Sequence, residues 1–296
     1  MKLKNWIFFI SMTVLVASCA RPVANFMVEG EDRVAPASIQ FSNQSTKAES
    51  YFWDFGDGNS SEESDPEHKY VLSGNYLVTL QALKGKKKSI MEKEIHIDAP
   101  TNCKVLIETN LGNMEVELYD STPKHRDNFI KLAEEGFYDE LLFHRVIKGF
   151  MIQGGDPDSR GAAQGQRLGS GGPGYQVDAE FSTDNVHLKG ALAAARMGDA
   201  ANPQKKSSGS QFYIVQGNAV TPDLLERMEA QKGIRYSAEQ RKLYQSEGGT
   251  PFLDMEYTVF GRVVKGLDVI DKIAAVQTAP GDRPMEDVWM KIKVIK

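Results

Sequence analysis

The sequence predicts a chain dominated by β-structure: an N-terminal β-sandwich, then a closed antiparallel β-barrel that carries a helical insertion. Three observations lead there. Short apolar–polar alternations separated by turn residues fill 23–98. A polar link with a proline, Asp98-Ala99-Pro100-Thr101-Asn102, marks a boundary at 99–102. Strand-like runs with one or two helical stretches then resume over 103–296, and 296 residues are enough for two domains.

The N-terminus reads as a targeting segment. Lys2 and Lys4 precede an apolar run from Trp6 to Val16-Ala17-Ser18-Cys19, a basic start and a stretch too short to span a bilayer. That is the pattern of a secretory signal over 1–18. Small residues just before a cysteine resemble the bacterial lipobox, which implies lipidation of Cys19 and a short tether over 19–22. The competing reading is an ordinary signal peptide with a chance cysteine. A lipoprotein of the bacterial cell envelope is expected, and Ala20, in place of a retention aspartate, favours the outer membrane, facing periplasm or surface. Cys103 is then left without an intramolecular partner and is expected to be inert.

In the sandwich, Ala37–Phe41 and the centre of Tyr76–Leu83 alternate with period two. Between them stand Tyr51-Phe52-Trp53-Asp54-Phe55-Gly56-Asp57-Gly58 and Pro66-Glu67-His68-Lys69-Tyr70. Trp53 and Phe55 share a face and can anchor a core. Asp54 and Asp57 can cap turn N–H groups, and Gly56 and Gly58 permit positive φ. As a kinase metal motif, Asp54-Phe55-Gly56 lacks its Gly-rich and catalytic loops. As a calcium loop from Asp57, the run has Glu62 and His68 where glycine and a carboxylate are required. The Trp-Asp-Phe-Gly-Asp-Gly run resembles the PKD-type domain, which implies an Ig-like sandwich; a spacer or protein-contact module is its expected role, with contact to protein or glycan at the cell surface as the alternative.

In the second domain, Lys104–Thr109 and Met114–Tyr119 flank Asn110-Leu111-Gly112-Asn113, a hairpin signal. Ser121 or Thr122, followed by Pro123, opens a helix through Ala133 that Gly136 closes. Gln211–Val215, Tyr257–Val264 and Val288–Ile295 read as strands. Residues 221–249 form the insertion. Thr221-Pro222 starts a helix that Gly233 stops, and Ser237 to Gln240 fits a capping box for a second helix. As a packing lid or as a wall shaping substrate access, this insertion is equally well explained.

Chemistry concentrates in Phe143-His144-Arg145-Val146-Ile147-Lys148-Gly149-Phe150-Met151-Ile152-Gln153-Gly154-Gly155-Asp156. The run sets one arginine, two large apolar side chains and one amide in a strand-like stretch. No residue is placed as a nucleophile, so the implied chemistry polarises a bond rather than cleaving it. Met151 and Gln153 share a face by parity. Phe150 follows the Lys148-Gly149 turn, so parity does not set its direction. His144 alternates away from Arg145 and is expected to pack or bond locally. In Ser207–Ile214, alternation puts Gln211 and Tyr213 on one face and Phe212 and Ile214 in the core.

These strings resemble the active-site signature of the cyclophilin-type peptidyl-prolyl isomerases over about 103–296. The resemblance implies an eight-stranded barrel capped by two helices, and rotation of X–Pro bonds in exported proteins. By the same resemblance Arg145 is catalytic and polarises the prolyl nitrogen, while Gln153 bonds the substrate backbone. Phe150, Met151 and Leu253 are implied to hold the proline ring. Ala195 and Arg196 fall in the segment whose backbone pairs with substrate, and Gln211, Tyr213, Phe252 and Tyr257 complete the set. Tyr213 stands where phenylalanine is usual and brings a hydroxyl in need of a partner. Phe252 replaces a tryptophan and Tyr257 a histidine; losing the indole N–H implies weaker cyclosporin binding.

Other classes are excluded. A formal net charge of −5 argues against a nucleic-acid footprint or a polybasic membrane patch. Gly169-Ser170-Gly171-Gly172-Pro173-Gly174 matches a dinucleotide motif by letter, but dense glycine with Pro173 fits a loop. The histidines lack metal spacing. The expectation is therefore a monomeric isomerase without cofactor or metal, acting on proline-containing polypeptides and held to a membrane only by lipid. The alternatives are a non-catalytic chaperone for proline peptides and a surface adhesion protein.

Overall fold

In the computed structural model, which describes residues 21–30 and 33–295, the alternating runs pair into sheets. The expected leader and Cys19 lie outside the described residues. By contact the chain separates into two units. Among the described residues, one comprises 21–30, Ser38–His68 and Asn75–Ile95; the other comprises 33–37, Lys69–Gly74 and His96 onward.

The N-terminal strands are β1 (Phe26–Glu29), β2 (Ala37–Asn43), β3 (Ser50–Asp54), β4 (Ser60–Ser61), β5 (Glu67–Tyr70), β6 (Gly74–Lys84) and β7 (Lys87–Ile97). They form a sheet β1-β2-β5 and a sheet β4-β3-β6-β7. Phe26 and Phe41 from the first sheet meet Trp53 from the second at ring distances of 5.2 and 5.5 Å, with Phe55 against Phe41. Trp53 and Phe55 are buried together, as their parity requires. Asp54 accepts from Gly56 N–H and Asp57 from Asn59 N–H, so both carboxylates cap the turn. Gly56, at φ +79°, presses on the Leu77 backbone, leaving no room for a Cβ. This unit is an Ig-like sandwich.

The second unit runs β8 (Lys104–Thr109), β9 (Gly112–Leu118), α1 (Pro123–Glu134), β10 (Leu141–Leu142), β11 (Arg145–Ile147), β12 (Met151–Gly154), β13 (Gln176–Val177), β14 (Ala191–Ala194), β15 (Ser207–Ser208), β16 (Phe212–Val215), α2 (Pro222–Lys232), α3 (Ala238–Ser246), β17 (Val259–Lys265), α4 (Leu267–Ala274) and β18 (Trp289–Ile295). Its main sheet has the order β10-β18-β8-β9-β17-β14-β16-β12-β11. The two edge segments are consecutive in sequence. The run 141–147 pairs with β18 at its start and with β12 at its end, breaking only at Phe143-His144. Counted as one strand, it closes an eight-stranded barrel, which is why nine segments appear where eight strands were expected.

Inside the barrel, Val105, Ile107, Leu192, Phe212, Ile214 and Met290 pack with Phe129 and Ile130 of α1 and with Ile270 and Ile273 of α4. The α1 helix starts as expected, with Thr122 at its N-cap and Pro123 next, but the threonine hydroxyl does not cap it. Thr122 Oγ1 donates back to Tyr119 O, and the N–H groups of Lys124 and His125 donate instead to Glu180. An acidic side chain from a distant loop thus satisfies the open helix end.

The insertion follows its signals. Thr221 caps α2, Gly233 ends it at φ +66°, and Ser237 with Gln240 forms the full capping box of α3. Leu225, Met228, Tyr236 and Tyr244 bury a small core of their own with Val186 and Val220.

Candidate active site

Strand register assembles the site. Arg145 of β11 pairs with Gln153 of β12, Gln153 with Tyr213 of β16, and Tyr213 with Ala193 of β14. Directly paired residues share a face, so one transverse row carries the guanidinium, the amide and the phenol. The neighbours Ile152, Phe212, Ile214 and Leu192 point into the barrel. Met151, Ala193, Tyr213 and Val215 form a second apolar cluster on the opposite face with Leu253 and Val259.

A cavity of about 170 Å³ opens on that outer face. Arg145, Phe150, Met151, Gln153, Ala195, Arg196, Tyr213, Leu253 and Tyr257 line it, all of them residues singled out in the sequence. Two others stand beside it. Phe252 is about half exposed at the rim, its ring 5.6 Å from that of Phe150. Gln211 accepts from Gln153 Nε2 at 3.2 Å and donates to Gly171 O at 2.8 Å. It lines an adjoining groove with Gln153, Ala195, Arg196 and the 169–174 glycine loop.

Arg145 keeps its freedom at the mouth. Its side chain is 44% exposed, with long contacts of 3.5 Å to Gln153 Oε1 and 3.4 Å to Asp282 Oδ2. Asp282 was not foreseen. It lies 137 residues away in sequence and also holds β11 through its carbonyl, which accepts from Val146 N–H. No local pattern could have marked it.

Arg196 is used differently from Arg145. Its side chain is 4% exposed, donates to Glu256 O and Asp199, and stacks 4.5 Å from the Tyr257 ring centroid. The guanidinium therefore braces a cavity wall. Ala195 N–H donates to Gln211 O and its carbonyl accepts from Ser208 N–H. Among the described residues Arg196 makes no backbone–backbone bond of this kind, so of the two it has the backbone available to a peptide.

His144 is buried beside the row, as its parity indicated. Burial pushes its pKa down to about 4 from 6.5, against the pull of Asp156. The folded chain thus resists protonating it. Stability should be complete above pH 6.5 and decline on the order of 3 kcal/mol as pH falls toward 4. Urea unfolding at pH 7.5 and 4.5 should show a smaller drop for His144→Gln; equal drops would refute the assignment. Burial likewise raises the Cys103 thiol, keeping it protonated.

With this geometry in place, the chain can be set beside known proteins. The model of the cyclophilin-type peptidyl-prolyl cis-trans isomerase family matches residues 104–294, and a PKD-domain model matches 19–97. A Streptococcus pyogenes protein, provisionally named a bifunctional phosphatase/peptidyl-prolyl cis-trans isomerase, is 37% identical over 230 residues. The match covers 77% of this chain but 46% of that protein, so the chain spans about half its length. A Staphylococcus saprophyticus protein, provisionally named a peptidyl-prolyl cis-trans isomerase, is 38% identical over 186 residues, 62% of this chain and 87% of its own. A crystal structure of a Cryptosporidium parvum cyclophilin type peptidyl-prolyl cis-trans isomerase aligns at 26% identity and TM-score 0.47, covering 66% of this chain and 98% of the other.

Proposed function

The chain belongs to the cyclophilin-type peptidyl-prolyl cis-trans isomerases, and we propose that Arg145 drives its reaction by polarising the prolyl nitrogen of a bound X–Pro segment. Rotation about that bond is slow because resonance imposes a barrier of about 18–20 kcal/mol. A donor aimed at the nitrogen engages the lone pair that is delocalised in the planar amide. It therefore favours the twisted form over both planar ones. The apolar floor of Phe150, Met151, Tyr213 and Leu253 holds the proline ring while the acyl side turns.

Gln153 and the backbone of Arg196 hold the peptide in this reading. Neither takes part in bond making, and among the described residues the cavity lining offers no serine, cysteine or carboxylate. The observation that carries the proposal is the Arg145–Gln153 pair in register at the mouth of an apolar cavity. A protease-coupled assay with a prolyl tetrapeptide tests it: the chain should accelerate cis-to-trans conversion in proportion to its concentration. A rate equal to the uncatalysed one would overturn the proposal.

The setting is a bacterial envelope, where a lipid on Cys19 tethers a folding catalyst for exported proteins. Support comes from the basic, apolar and small-residue sequence up to Cys19. Cys19→Ser should move the chain from the detergent-extracted membrane fraction to the soluble one. Unchanged membrane retention would refute the tether.

A further inference from the structure

Tyr213, at the back of the cavity, is joined to the two inserted helices by a continuous set of buried hydrogen bonds. Its ring lines the cavity, while its hydroxyl lies 2.9 Å from Nε2 of His187, which is fully buried and stacks against the phenol. Nδ1 of His187 lies 2.8 Å from Asp254 Oδ1, which also accepts the His187 backbone N–H. The other carboxylate oxygen accepts from the hydroxyls of Tyr236 at 2.7 Å and Tyr244 at 2.6 Å. Both tyrosines come from residues 221–249, whereas Asp254 follows the cavity residue Leu253 directly.

The proton positions follow from these partners. Burial first, then the Asp254 charge, raises the Tyr236 and Tyr244 phenols well above their ordinary range, so both remain donors. Asp254 takes four donated bonds, which assigns the His187 proton to Nδ1 and leaves Nε2 as an acceptor. Tyr213, also raised by burial, donates to it. Every group in the set has a partner, and losing any one leaves a buried polar atom unsatisfied. The extra hydroxyl of Tyr213 thus has its partner within the protein.

No residue of the insertion lines the cavity. Its backbone nonetheless meets the same segment: Gly249 bridges to Leu188 and to Asn218, and a Cβ there would overlap His187 O. We propose that His187 and Asp254 are positioning residues through which the inserted helices set the seat of the Tyr213 wall, and with it the fit of the proline ring. The insertion then acts as a specificity element at second hand, neither a lid nor a wall. This rests on the reading of the cavity as a proline site.

The test substitutes Tyr244→Phe in the full chain, a buried change that removes one donor and touches no substrate. The Tyr213 ¹³Cζ resonance, identified by its loss in Tyr213→Phe, should shift. The kcat/KM for a prolyl tetrapeptide should fall about threefold to tenfold, mainly through KM. In the Tyr213→Phe background the same substitution should leave kcat/KM unchanged while lowering Tm as before. An unmoved resonance, an unmoved kcat/KM, or a loss that persists at full size in the Tyr213→Phe background would each overturn the proposal. Absence of turnover in the unsubstituted chain would count against the isomerase reading alone. The resonance and the peptide affinity by titration would then still decide the role of His187 and Asp254.

Discussion

Arg145→Ala is expected to lower kcat/KM for a prolyl peptide by about 10²–10³, the usual consequence of deleting a donor that acts chiefly in the transition state. The fold should not notice. Arg145 is nearly half exposed, and its pair with Asp282 is equally open to solvent. Such pairs contribute little to stability, so unfolding midpoints should stay within about 0.5 kcal/mol of the unsubstituted chain. Arg145→Lys should recover only part of the loss, because an ammonium on a flexible stem cannot present a planar fork to the nitrogen. Near-normal turnover by the alanine variant would remove Arg145 from the mechanism.

Phe212→Ala, one residue from Tyr213, is expected to do the opposite kind of damage. Phe212 points into the barrel and meets Phe129, Tyr138 and Phe143 edge to face at 5.4–6.3 Å. Deleting a fully buried aromatic ring removes its transfer free energy and leaves a cavity that a closed barrel cannot collapse around. The expected cost is about 3–5 kcal/mol, read as a lower urea midpoint with an unchanged slope. A cost under about 1 kcal/mol would mean that the interior is not packed as described. The contrast between neighbours restates the strand's alternation: Phe212 carries stability and Tyr213 the site.

How much of this was legible in the sequence depends on the range of the interactions involved. Both starts and the first stop of the inserted helices were readable to the residue, because Thr221, Pro222, Gly233, Ser237 and Gln240 act on backbone groups within one turn of themselves. Trp53 and Phe55 shared a buried face for the same local reason. The start of α1 at Thr122-Pro123 was legible too, but Glu180, far along the chain, takes the N–H groups of Lys124 and His125, a partner no local pattern marks. The barrel's closing strand is broken at Phe143-His144, where the run changes partner from β18 to β12, and no local pattern marked that change.

In the cavity, parity paired Met151 with Gln153 and Gln211 with Tyr213, while only the family resemblance joined these pairs to Arg145 in one site. Their transverse alignment was not legible, since register is set by which strands pair. His187 and Asp282 stayed invisible because their work consists of bonds to residues 26 to 137 positions away. Arg196 lines the cavity, but only the structure shows its guanidinium committed to Glu256, Asp199 and Tyr257.

The central claim is that this cavity rotates prolyl bonds rather than merely holding them. Exchange spectroscopy by NMR on a prolyl peptide, with the chain at catalytic concentration, addresses both at once. The predicted result is cis/trans cross-peaks that build up with added chain and largely vanish with Arg145→Ala, while peptide shifts still report binding. Binding by the unsubstituted chain with exchange no faster than in free peptide would contradict it.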